Sequence, residues 1–158
     1  MADPLITYIQ DHLAGALFAV GLLGELRQQD YDTEVAQFAT QLLAEVEDDR
    51  STLKNLAERL GDQSDSLKDA AAWVAQKASS VKLDLESPLG VFEAIEMLSL
   101  GVLGKLALWN ALQTIRTTNE NLSNLDLDQL KVRAERQHRE LEALRLKLAA
   151  TTLGRPAS

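Results

Sequence analysis

Acidic side chains set into apolar surroundings are the part of this sequence that could do chemistry. The stretch from Pro88 to about Ile115, above all residues 91–112 (VFEAIEMLSLGVLGKLALWNAL), is apolar on nearly all sides and reads as a central buried helix. It nevertheless carries Glu93 and Glu96, three apart and so neighbours on one helix face, and Lys105 further along. Carboxylates on a buried helix need a positive partner, since leaving a buried charge unpaired costs about 3–5 kcal/mol. Other polar groups fall within or beside apolar stripes: His12 between Ile9 and Ala16, Asp49 with Arg50 next to it, and His138. Glu45, Glu47 and Asp48 crowd the turn around Asp49 and read as a solvated acidic face, Asp49 excepted because of its stripe position. Lys105 is expected to snorkel or to pair with an acid rather than to serve as a Schiff-base amine.

Several reaction classes lack their parts. There is no cysteine, hence no disulfide framework, thiolate nucleophile or thiolate metal site, and only two histidines, too few for a nucleophile–base arrangement. No strand pattern precedes a glycine-rich loop, so no phosphate cradle is expected. A net charge of −8 without a basic, aromatic-interleaved surface disfavours nucleic acid. Could the apolar stretch cross a membrane? Each charge at a bilayer centre costs roughly 3 kcal/mol and each Leu, Ile, Phe or Val returns only about 0.5. Glu93, Glu96 and Lys105 therefore outweigh the apolar residues around them, and a soluble core helix with no membrane partner is expected. The start, MADPLITYIQ, lacks the basic n-region of a secretory signal, so a cytoplasmic location is expected.

The elements that would position these residues all read as helices. Asp3-Pro4 opens the first, Asp as cap and Pro at the first helical position, with Leu5, Ile9, Ala16, Ala19 and Leu23 at helical spacing. Its glycines, Gly15, Gly21 and Gly24, each cost about 1 kcal/mol relative to Ala, which close approach of a neighbouring helix would offset. After a short break, Asp32 or Thr33 caps a second helix that runs to Leu60 and is stopped by Gly61. Ser66 with Asp69 suggests a cap for a one-sided outer helix from 67 to about 85. Ser87-Pro88 then opens the central helix, where Gly101 and Gly104 either permit close helix contact or border a small apolar pocket. Residues 116–123 read as a loop, and Asp126 with Gln129 as the capping pair of a last helix to about 153. That helix is assigned Leu127, Leu130, Ala134, His138, Leu141 and Leu148 on its buried side. Trp73 and Trp109 are assigned to packing or an interface. The expected fold is all-α, a single domain over 1–158: a four-helix bundle with a helical crossover between the second and third main helices, which makes those two parallel. The outward faces of the first and crossover helices are apolar enough for a homodimer.

On these residues the chain resembles the ferritin-like superfamily, which includes bacterioferritins and rubrerythrins. Its di-metal pattern takes one Glu from each of the first and third helices and Glu-x-x-His from each of the second and fourth. Here Glu135-Arg136-Gln137-His138 matches on the fourth helix and Glu93 or Glu96 on the third. The second helix has Glu47-Asp48-Asp49-Arg50, with Arg50 where a histidine is expected, and the first has His12 where a Glu is expected. The spacing from His12 to Glu47 is similar to the family's. The opening DHLAGA, residues 11–16, is similar to that of a group of uncharacterised bacterial proteins, which implies no activity. The resemblance implies iron or manganese held by about six ligands: His12, Glu47, Glu93, Glu96, Glu135 and His138. Arg50 argues against it, because a guanidinium has no lone pair to give and stays protonated. The leading expectation is a non-catalytic bundle without a cofactor, in which Arg50 pairs with Glu93, Glu96 or Glu135 in a metal-free ion-pair network. The alternative is an iron- or manganese-dependent oxidoreductase with a reduced ligand set. A carrier of a small apolar ligand is the third class.

Overall fold

Each of the four α-helices among the described residues begins where a short polar side chain can satisfy the free N–H groups of a first turn. The computed structural model describes residues 3–62, Ala72, Gln76 and 83–154. Among them are four α-helices and no strand: α1 Pro4–Leu26, α2 Thr33–Arg59, α3 Pro88–Ile115 and α4 Leu127–Thr152. Asp3 accepts from the Leu5 N–H at 2.8 Å, Asp32 from Val35 at 3.1 Å, Ser87 Oγ from Gly90 at 3.1 Å and Asp126 from Gln129 at 3.1 Å. Gly61 ends α2 at φ +89°, a left-handed conformation that suits glycine. The Asp62 N–H then reaches the Ala57 carbonyl and the Gly61 N–H reaches Glu58, each at 3.0 Å, closing a Schellman motif.

The ion pairs between helices fix their directions. Lys147, Arg136 and Arg133 of α4 pair with Glu34, Glu45 and Asp49 of α2, in reverse order along the chain. Arg145, Glu142 and Gln137 of α4 meet Glu96, Ser99 and Lys105 of α3, again in reverse. Helix α4 is therefore antiparallel to both α2 and α3, which run parallel to each other. The apolar core runs through all four helices, with Ile9, Leu23, Leu56, Ile95, Trp109, Leu112 and Leu141 fully enclosed. The connection between α3 and α4 consists of two 3₁₀ turns, Arg116–Thr118 and Glu120–Leu122, and buries Leu122.

Several expectations are corrected. Helix α3 is not enclosed all round: Leu89, Glu93, Leu100, Leu103 and Ala107 lie on an exposed face. The helical glycines do not mark close contacts, because a Cβ built on Gly15, Gly21, Gly24, Gly101 or Gly104 meets no atom within 4 Å. Gly90 is the tight one: a Cβ there would lie 1.7 Å from the Asp84 carbonyl oxygen. Of the segment expected to form the crossover, Ala72 and Gln76 are helical and residues 83–86 are not, so the expected end near 85 comes too late. The rest of that segment, with the Ser66–Asp69 cap and Trp73, lies outside the described residues. Helix α1 is long and apolar enough to cross a membrane by length and composition alone, with 22% of its most apolar window buried.

Candidate functional site

The polar centre of the molecule is built on Asp49, which α2 carries on its buried stripe between Val46 and Leu53. A carboxylate only 5% exposed has to be neutralised, and two cations do this. Lys105 of α3 donates from Nζ to Asp49 at 2.6 Å, and Arg133 of α4 donates to its other oxygen. The network then runs on through α4 and back to α2. Lys105 also donates to Gln137 Oε1, Gln137 Nε2 donates to Glu45 at 2.7 Å, and Glu45 accepts from Arg136 at 2.7 Å. Arg136 reaches Glu140 on its own helix at 3.2 Å. Burial pushes Lys105 down, against the opposing pull of Asp49. Burial pushes Glu45 up, but hydrogen bonds from Gln137 and Arg136 outweigh it and hold the carboxyl below its usual range.

A second cluster sits one to two turns away between α3 and α4. Glu142 accepts from Arg145 at 2.6 and 2.9 Å and from Ser99 Oγ at 2.8 Å, and Arg145 reaches on to Glu96 at 3.1 Å. The Arg145 hydrogen bonds and charge hold Glu142 at about 2.

The residues singled out for metal do not converge. Glu47, Glu93 and Glu135 are exposed, and Glu96 is taken by Arg145. His138 is partly exposed, one position round α4 from the buried Gln137. His12 is half-buried, its ring edge-on to Tyr8 with centroids 4.7 Å apart, and burial lowers its pKa against the opposing charge of Asp11. Among the described residues no group of three His, Asp or Glu side chains is placed to hold a metal ion. Arg50 pairs with none of Glu93, Glu96 or Glu135. It lies one residue beyond Asp49, about 100° further round the helix, and so faces α1 and α3 rather than the acids near α4.

What Arg50 faces is a cavity of about 130 Å³ between α1, α2 and α3. Its walls are mostly apolar, including Phe18, Leu42, Met97 and Trp109. His12, Asp49, Arg50 and Lys105 supply its polar part, and Gly15 and Gly101 leave room along two of the helices. The Trp109 indole is 1% exposed and its Nε1 has no hydrogen-bond acceptor among the described residues.

Gln137, Arg133, Arg145 and Glu142 were not foreseen as members of these clusters. A signal existed for Gln137: the spacing of Leu130, Ala134, Leu141, Leu144 and Leu148 passes through 137, not 138. The others come together only through the pairing of three helices, which one-helix periodicity does not encode. No family model matches the chain, and no match was found among the curated proteins or the solved structures.

Proposed function

We propose that this chain is a ferritin-like bundle without a metal centre, in which an ion-pair network takes the place of metal, and that it acts by binding rather than by catalysis. The parallel course of α2 and α3 supports the ferritin-like connectivity, since a long crossover between the second and third helices produces it. The observation that carries the reading is Asp49. It is a buried carboxylate at the middle of the bundle, and Lys105 and Arg133 occupy its two oxygens. A metal dication there would compete with two positive charges already held by hydrogen bonds. No nucleophile–base pair is set into the cavity either: His12 is its one imidazole, and its near neighbours Tyr8 and Asp11 lie outside the cavity lining.

Elemental analysis of protein produced in iron- and manganese-supplemented medium tests this directly. Background metal is expected in the wild type. Near-stoichiometric iron or manganese, lost in Glu96→Ala, overturns the reading in favour of a metal-dependent oxidoreductase.

A further inference from the structure

The cavity carries an unbalanced charge. Among the described residues, Asp49, Lys105 and Arg50 line it and sum to one positive charge, in a protein whose net charge is −8. Both Asp49 oxygens are engaged, one by Lys105 and the other by Arg133. The remaining arginines of the core clusters are each answered: Arg133 by Asp49, Arg136 by Glu45 and Arg145 by Glu142. Arg50, half-buried beside them, has no carboxylate within ion-pair distance among the described residues. Burying a guanidinium beside apolar walls is unfavourable without an anion, and its forked donors match a carboxylate. The cavity itself is 130 Å³ and mainly apolar, close to the engineered cavity of about 150 Å³ in another protein that takes benzene.

We propose that this cavity binds a small apolar monocarboxylic acid, its body one ring or an equally short chain lying against Phe18, Met97 and Trp109, its carboxylate meeting Arg50. The apolar body supplies binding energy by leaving water, and Arg50 supplies the preference for an anion. Gly15 and Gly101 line the cavity without filling it with a side chain, and a Cβ built on either meets no atom within 4 Å. The proposal rests on the metal-free reading of Asp49, which elemental analysis tests separately from ligand binding.

Isothermal titration with benzoate and with benzyl alcohol, a neutral molecule of similar shape, tests it. Benzoate is expected to bind at one site per chain, and benzyl alcohol about tenfold or more weakly, the order of one charge-assisted hydrogen bond. Arg50→Gln should reduce benzoate affinity to the level of benzyl alcohol and leave benzyl alcohol unchanged. Gly101→Leu should abolish both. No heat with benzoate at concentrations on the order of millimolar, equal affinity for the two probes, or undiminished benzoate binding in Arg50→Gln each overturns the proposal. Should Arg50→Gln fail to fold, amide and indole NMR shifts of the wild type decide. Benzoate must then perturb Gly15, Gly101 and the Trp109 indole, and shifts confined to other residues overturn the site.

Discussion

His12 and Glu142 titrate in opposite senses of charge but push stability in the same direction. Burial lowers the imidazole pKa of His12, so below its ordinary 6.5 the unfolded chain takes up a proton that the folded chain resists. Stability contributed at this residue is therefore complete above 6.5 and is lost as pH falls towards the folded pKa. Glu142, held at about 2 by Arg145, contributes stability that is present above its ordinary 4.5 and lost as pH falls through about 2. Thermal unfolding should show a lower midpoint at about pH 5.5 than at about pH 7.5, and His12→Gln should flatten that step. The Glu142 step lies further into acid and should persist in His12→Gln. A pH-independent wild-type midpoint across the histidine range would mean that the imidazole is solvated.

At the scale of the helices, glycine separates open faces from tight ones. Gly21→Ala and Gly24→Ala add a methyl that meets nothing and raise helix propensity, so each should stabilise by about 0.5–1 kcal/mol. Gly90→Ala drives a methyl into the Asp84 carbonyl at the start of α3 and should destabilise by about 1–3 kcal/mol. Urea unfolding of the three variants checks both signs, and a destabilised Gly21→Ala or Gly24→Ala would place a packed partner against α1. The helix starts were legible in the sequence because each depends on local chemistry: Asp3-Pro4, Asp32, Ser87-Pro88 and Asp126 cap what they were expected to cap. The stop at Gly61 was legible for the same reason. The register of α4 was misread by one residue, 138 for 137, because a histidine looks more like a core residue than a glutamine does. Gln137 is buried only because Lys105 and Glu45, distant in sequence, satisfy both ends of its amide. The open side of α3 was also not legible: a helix with few charges looks enclosed whether or not a neighbour covers it. Glu93 belongs to that open side with Leu100 and Ala107, at intervals of seven.

Across the whole molecule, the charge network ties together what the apolar core leaves separable. Helices α1 and α2 form one antiparallel hairpin and α3 and α4 another, and Asp49, Lys105, Gln137 and Arg133 join α2 to both members of the second. A well-packed apolar replacement of such a cluster can be neutral or stabilising, whereas removal of one partner strands the others. Combined substitution Asp49→Leu, Lys105→Met and Arg133→Met should therefore retain more stability than Asp49→Asn alone, a coupling that equilibrium unfolding of the two proteins can read. The direct measurement is the urea unfolding curve of Asp49→Asn beside the wild type, both in excess chelator. With Lys105 and Arg133 left buried and unanswered, Asp49→Asn is expected to lose about 3–5 kcal/mol, while chelator leaves the wild type unmoved. A loss below about 1 kcal/mol, or a wild type that itself weakens in chelator, contradicts a core neutralised by its own cations.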